Sequence, residues 1–458
     1  MSVRDEIPAD NDYLQMLAQV LGHARSYVAG LDDRAVFPGD DAVEALAVFD
    51  EALPEGPMAP EEILDLLHEK GSPATVAQTG GRYFGFVTGG ALPVAVAARW
   101  LSDVWDQNGA MYVMSPLVSA LERVCEKWLV ELLGLPAGTV AGFVSGTSVA
   151  NLCALTAARD EVLRGLGWNV KSQGLFGAPT VRVMLGEQAH ASVFKALSIL
   201  GFGTDGIEAI PADGQGRLAA EKLPELDART IVVAQAGNVN SGAFDPIAAI
   251  CDRARAAGAW VHVDGAFGLW GAASARRKPL VEGLQAADSW AADAHKTLNA
   301  PYDCGLVFCR RREALTRAMQ ASGVYLPTGD KRDGMMSTPE MSRSARVVAL
   351  WALLKSLGRS GVAELVDRLC DRAVFFADRL RGEGFTVLNE VVFNQVLVAC
   401  GSPDKTVATL ESIQRCGECW CGGTTWHGQP AMRVSVCSWA TTEEDIRRAV
   451  KAFVKARG

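Results

Sequence analysis

The sequence predicts an α/β protein with a mostly parallel sheet, followed by a smaller α+β region. Two patterns lead there. Between residues 76 and 320, short β-branched runs alternate with helical stretches, as strands joined by helical crossovers do. Beyond about residue 360 the alternation stops, and helix, strands and a last helix follow. With 458 residues, 49% of them hydrophobic, the chain is long and apolar enough for more than one core.

Residues 1–75 read as a helical arm or cap. Leu14, Leu17 and Leu21 stand at helical spacing, as do Ile63, Leu66 and Leu67, and Pro54, Pro57 and Pro60 break the stretch between them. Residues 76–320 form the large domain. Strands are expected at 181–185, 231–234, 260–264, 289–292 and 305–309, with helices at 190–200 and 246–257. Arg310, Arg311 and Arg312 read as a solvated helix start. Residues 321–458 are expected to be a mobile loop (321–338) and a small α+β domain. That domain has helices at 342–357 and 362–382, strands at 387–388, 395–400 and 432–436, and a final helix from Glu443.

Charge and cysteine content exclude several classes of function. The net charge is −9 with no basic run, which argues against a nucleic-acid partner. No apolar run reaches the roughly 18 residues of a membrane span, and the acidic N-terminus has no apolar signal core. Eleven scattered cysteines, an odd number, point to reduced thiols and a cytoplasmic location. Cys416-x-x-Cys419-x-Cys421 with His427 nearby raises the question of a metal. The segment reads instead as two strands joined by Gly422-Gly423 with Trp420 and Trp426 packing, and no metal is expected.

Four elements of the large domain carry chemistry together. Ser145-Gly146-Thr147-Ser148 stands directly before a helical run, where small residues and a helix N-terminus suit an anion. Asp264 closes the expected strand at 260–264, and carboxylates at strand C-terminal ends are often functional in α/β sheets. Lys296 follows another short strand and is preceded by His295; a lysine there can form a Schiff base with a carbonyl compound. His190 sits at a strand-to-helix junction, placed to stack on a ring or simply to cap the helix. An Asp to pair with a pyridinium nitrogen and a Lys to hold an aldehyde fit a pyridoxal phosphate site.

The segments RYFGFVTGG (82–90), SPLVSALERVCEKWLVELLGLP (115–136), SGTSVANLCALTAAR (145–159), QAHASVFKA (188–196), WVHVDGAFG (260–268), DAHKTLNAPYDCG (293–305) and SRSARVVALWALLKSLG (342–358) stand in one order. In this they resemble the group II pyridoxal-phosphate-dependent amino-acid decarboxylases, the aromatic-amino-acid and glutamate decarboxylase family. The resemblance implies the fold-type-I, aspartate aminotransferase-like architecture, pyridoxal 5'-phosphate as cofactor, and a homodimer with active sites at the subunit interface. It implies decarboxylation of an L-amino acid to the amine and CO₂ through a Schiff base with Lys296. Lys296 matches the Schiff-base lysine, Asp264 the pyridinium partner, His190 the ring-stacking histidine and Ala266 the small residue on the other ring face. Gly146, Thr147, Ser148 and His295 match phosphate-binding positions, and Asn240 falls where a threonine often stands near the cofactor.

Two departures stand out. The family's aromatic branch carries a loop tyrosine that returns a proton to Cα. Counting back from Arg346 and Trp351 puts Gly334 in its place, and residues 326–341 hold neither Tyr nor His, with Tyr325 at their edge. Without that acid an alternative outcome opens: oxidative decarboxylation–deamination to an aldehyde, aldol cleavage or amino transfer. The substrate pocket, assigned to Phe86, Thr88, Asn108 and Ala110, is more polar than an aromatic side chain needs, unless Asn108 and Ala110 face the dimer partner.

Overall fold

The computed structural model describes residues 10–320 and 331–458. Its strands are β1 (Tyr83–Phe84), β2 (Val140–Val144), β3 (Arg182–Gly186), β4 (Ile207–Ile210), β5 (Thr230–Gln235) and β6 (Trp260–Asp264). They continue as β7 (Ser289–Asp293), β8 (Gly305–Cys309), β9 (Thr386–Val387), β10 (Gln395–Ala399), β11 (Trp420–Trp426) and β12 (Gln429–Ser435).

Seven strands build the large sheet in the order β2-β8-β7-β6-β5-β3-β4. Only β8 runs against its neighbours β2 and β7; the other pairs are parallel. Every residue of β2, β5, β6, β7 and β8 is buried, as expected of a sheet covered on both faces. Alternate side chains enter two separate cores. Val140, Val144, Ile231 and Val233 pack with the helices Thr147–Gly165 and Ala191–Ile199. Ala141, Phe143, Val232 and Ala234 pack with Pro116–Leu133, Ile247–Ala257 and the start of Val347–Gly382. The result is a three-layer α/β/α unit of fold type I.

The small sheet has the order β1-β11-β12-β10-β9. It packs on Pro403–Arg415, Glu443–Arg457 and the C-terminal part of Val347–Gly382 through Phe376, Leu380, Ile413 and Phe453. The expected helices at 342–357 and 362–382 are therefore one element, interrupted at Gly358 (φ 61°, ψ −176°). Its first part serves the large core and its last part the small one.

The structure departs from the sequence reading at three further points. Gly422-Gly423 is not a turn but the middle of β11, opposite Arg433 and Met432. A Cβ on Gly423 would press on the end of the Leu410 side chain of the overlying helix, which would have to shift. The hairpin turns instead at His427-Gly428, both at positive φ (46° and 77°). Tyr83–Phe84, expected within the large domain, is the edge strand of the small sheet, parallel to β11. Of the expected mobile loop, 321–330 lies outside the described residues, whereas 331–338 is packed. There Arg332 pairs with Glu122 and Glu126, and Met335, Ser337 and Thr338 are buried.

Candidate active site

The parallel strands β5, β6 and β7 end at one edge of the sheet, and the site is built on those strand ends and the turns beyond them. Asp264 is the last residue of β6 and is 4% exposed. Both of its oxygens are pinned: Asn151 Nδ2 donates to Oδ2 at 3.1 Å and the Ala266 N–H to Oδ1 at 3.2 Å. No ion pair reaches this carboxylate among the described residues. Asn151 comes from the helix Thr147–Gly165 and is itself held by His262, whose Nε2 lies 2.9 Å from Asn151 Oδ1. Because the Asn151 amide nitrogen donates to Asp264, its oxygen must accept, and His262 Nε2 carries the proton. His262 Nδ1 then accepts from Ser289 Oγ at 3.0 Å.

This chain needs a neutral imidazole. Complete burial pushes the His262 pKa down to about 4, desolvation outweighing the Asp264 carboxylate. An unfolded histidine titrates near 6.5, so between pH 6.5 and 4 the unfolded chain takes up a proton that the folded one refuses. Stability tied to His262 is present above that window and is lost as pH falls through it, by about 3 kcal/mol at the acid end. The thermal midpoint of His262→Gln is expected to fall less steeply across that window than that of the wild type. Parallel curves would contradict this account.

Lys296 lies in the turn after β7, half-buried, with Nζ 3.1 Å from Asp293 Oδ2. Asp293 Oδ1 accepts the Thr147 N–H at 2.7 Å and stands 3.6 Å from His295 Nε2. The last residue of β7 thus joins the lysine, His295 and the start of the helix Thr147–Gly165. That helix start lies directly on β8, since a Cβ on Gly305 would overlap the Gly146 backbone. Gly146 gives the helix no side-chain cap, and the buried Thr147 Oγ1 has no hydrogen-bond partner. A helix N-terminus whose first N–H alone is taken, by Asp293, and whose buried hydroxyl is orphaned leaves donors for a phosphate. A buried, pinned carboxylate without a cation suits a pyridinium nitrogen. The residues present therefore fit pyridoxal phosphate.

His190 caps the helix Ala191–Ile199, its Nδ1 accepting the Ser192 N–H at 3.2 Å. Desolvation lowers its pKa; the Asp264 charge opposes this, and Lys296 and Arg433 add to it, so all four side chains share one neighbourhood. His295 Nδ1 accepts the Cys304 N–H at 3.1 Å, and its ring lies on Tyr302 with centroids 4.4 Å apart. Ala266 closes the turn after β6, and its carbonyl accepts the Asp293 N–H at 2.8 Å. Asn240 is turned toward the small sheet, its Oδ1 accepting from Thr424 Oγ1 at 2.8 Å. Ser148 is exposed beside Thr147.

The four pocket residues separate into two groups. Thr88 is buried, the Gly90 N–H donates to Asn299 Oδ1 at 2.8 Å, and Gly89 lies so close to the Lys296 carbonyl that a Cβ would overlap it. Phe86, at φ 53°, stands 61% exposed with its ring 5.4 Å from Trp420. Segment 86–90 is thus a wall of the lysine turn. Asn108 Oδ1, by contrast, accepts the N–H groups of Ala110 and Arg343, and the Ala110 carbonyl accepts that of Met335. These two hold segment 331–343 in place, and no contact brings them to Lys296.

Gly334 opens a buried 3₁₀ turn, and a Cβ there would overlap the Arg343 guanidinium, which pairs with Glu122. Tyr325 lies outside the described residues.

The sequence reading missed Asp293, Asn151, His262 and Arg433. Asp293 carried the same signal as Asp264, a carboxylate closing a strand. Arg433 is a lone charge in the run Met432-Arg433-Val434. Its Nε is buried without a partner, no carboxylate pairs with it among the described residues, and desolvation lowers its pKa.

The pyridoxal-dependent decarboxylase conserved domain matches residues 45–399. The acidic amino acid decarboxylase GADL1 of Mus musculus is 29% identical over 330 residues, 69% of this chain and 59% of that protein. The aromatic-L-amino-acid decarboxylase of Bacillus atrophaeus is 28% identical over 330 residues, 69% of this chain and 66% of that protein. The match thus spans about three fifths of the GADL1 relatives. Oryza sativa TDC with PLP and tryptamine has the same fold, with TM-score 0.91 at 22% identity over 98% of both chains. So does mouse CSAD, with TM-score 0.90 at 22% identity over 98% of this chain and 99% of that one.

Proposed function

Because the chain belongs to the pyridoxal-dependent decarboxylase family, we propose that it releases the α-carboxyl group of an L-amino acid as CO₂ and leaves the amine. The observation that carries this reading is Asp264, a buried carboxylate pinned by Asn151 and Ala266, one strand away from Lys296. Pyridoxal phosphate, when bound, supplies an electron-poor ring that accepts the electron pair left at Cα. Lys296 is the residue to hold its aldehyde, and Asp264 keeps a positive charge on its ring nitrogen. Gly146, Thr147, Ser148 and His295 hold the phosphate, His190 and Ala266 flank the ring, and Asn240 stands at its edge. Asp293 Oδ2 pairs with Lys296 Nζ at 3.1 Å and so holds the amine in the site whenever it is free. Arg433, unpaired and partly desolvated, attracts a substrate carboxylate. Asn299, accepting the Gly90 N–H at Oδ1, keeps wall 86–90 against the lysine turn.

A homodimer belongs to the same reading. Trp100, Leu101, Val104 and Trp105 are exposed and continue with Leu17 and Leu21 into one apolar groove. An apolar face of that extent favours a protein partner over water. Eleven free cysteines support a cytoplasmic location, and no helix among the described residues is long and apolar enough to cross a membrane.

The test is a product assay on the loaded protein with acidic, sulfinic and aromatic L-amino acids, following CO₂, amine, ammonia and peroxide together. Equal amounts of CO₂ and matching amine are expected from at least one of them. CO₂ with ammonia and peroxide, or no CO₂ from any amino acid, would overturn the proposal.

A further inference from the structure

A polar chain runs behind Asp264, sealed from water. Trp260, His262, Ser289 and Asn151 are each 2% exposed or less. Trp260 Nε1 lies 3.0 Å from Ser289 Oγ, and Ser289 Oγ lies 3.0 Å from His262 Nδ1. His262 Nε2 lies 2.9 Å from Asn151 Oδ1, and Asn151 Nδ2 lies 3.1 Å from Asp264 Oδ2. Strand register builds the middle of the chain, since His262 stands opposite Ser289 in the parallel pair of β6 and β7.

Both ends of the chain have a fixed polarity. The Trp260 indole can only donate, so it takes a lone pair of Ser289 Oγ and leaves the hydroxyl proton for His262 Nδ1. The Asp264 carboxylate can only accept, so the Asn151 amide turns its NH₂ toward it and its oxygen toward His262 Nε2–H. The two ends agree on one neutral tautomer, and every donor points toward Asp264. Apolar side chains of the same shape would fill this space at little cost in stability, so the alignment has its use at the carboxylate.

We infer that Asn151 and His262 are positioning residues that keep the proton shared by Asp264 and the cofactor's ring nitrogen on the nitrogen. The inference rests on the decarboxylase reading of the site. Burial favours a neutral carboxylic acid, and hydrogen-bond donors favour the charged carboxylate. Asp264 is 4% exposed, and its donors are Asn151 and the Ala266 N–H. If Asn151 is lost or turned, one of those donors goes. The ring N–H bond then breaks, an O–H bond forms on Asp264, and the ring accepts electrons less well. His262 acts one step back, fixing which way the Asn151 amide faces. The other charges close by are engaged elsewhere. Asp293 and Lys296 pair with each other. Asp288 accepts the Val261 N–H and pairs with Arg311, which lies over the Trp260 ring. The helix Thr147–Gly165 carries no charge before Arg159, about two turns beyond Asn151.

The experiment loads the protein with pyridoxal phosphate carrying ¹⁵N in its ring and reads the ring-nitrogen chemical shift by NMR between pH 6 and 8. The wild type is expected to show a protonated nitrogen throughout, a measurement that needs no variant to fold. Asn151→Leu and His262→Leu should each shift the signal toward the unprotonated form. His262→Gln, whose amide can still donate to Asn151, should keep it protonated. In the two leucine variants kcat should fall about tenfold or more, with KM less affected. A ring nitrogen as fully protonated in both leucine variants as in the wild type would overturn the inference and leave the site reading intact. A wild type that forms no visible band of lysine-bound cofactor would overturn both.

Discussion

Lys296→Ala is expected to lower CO₂ release by about three orders of magnitude or more and to abolish the visible absorbance of lysine-bound cofactor. The thermal midpoint should stay close to that of the wild type. Lys296 is half-buried, and among the described residues its one ion pair is with Asp293. Its loss leaves Asp293 Oδ1 on the Thr147 N–H, and Asp264 pinned by Asn151 and Ala266, so the scaffold loses little. Both readouts belong to one amine: absorbance reports attachment and CO₂ reports turnover. Turnover by the alanine variant within tenfold of the wild type would remove Lys296 from its assigned role.

Asp264→Asn is the second large effect, with kcat expected to fall by about 100-fold or more and KM much less affected. A carboxamide of the same shape carries no charge to keep a ring nitrogen protonated. The local network makes the change worse. Asn151 Nδ2 donates to Asp264 Oδ2 and the Ala266 N–H donates to Oδ1, so an amide nitrogen at either position faces a donor. Asp264→Glu keeps the charge but lengthens the side chain within a 4% exposed site. If charge dominates, the glutamate variant should retain more kcat than the asparagine one. Equal loss in both would assign the effect to packing.

What the sequence made legible was whatever local pattern decides. Trp260–Asp264 and Gly305–Cys309 are short apolar runs buried on both faces, and they fold at the expected bounds. Asp264 and Lys296 stand at ends of adjacent strands, and motif order connects them. Asn151, His262 and Arg433 were not legible, because their roles come from register and packing. The polar chain from Ser289 through His262 and Asn151 to Asp264 joins two neighbouring strands and a helix that starts more than a hundred residues earlier. That Gly334 is packed under the Arg343 guanidinium was not legible either, because spacing along the chain does not report which side chain fills the space beside a residue. Gly422-Gly423 was misread because two glycines signal a turn locally, while Gly423 lies under the Leu410 side chain of a helix over the strand and Gly422 has open space around it. A strand of two residues such as Tyr83–Phe84 has too little pattern to be read at all.

The pairing of β1 with β11 orders the events of folding. Arg82 and Glu418 meet although 336 residues separate them. Bringing the ends of so long a free loop together costs roughly 5 kcal/mol of chain entropy. Two paired residues and one ion pair cannot offset that while the intervening chain is unfolded. The ring closes once the seven-stranded unit has collapsed and shortened the gap. Residues 86–92 hold to the large unit by themselves, the Gly90 N–H donating to Asn299 Oδ1 and the Leu92 N–H to the Asn299 carbonyl, so what the late step adds is the small sheet's edge beside a wall already seated.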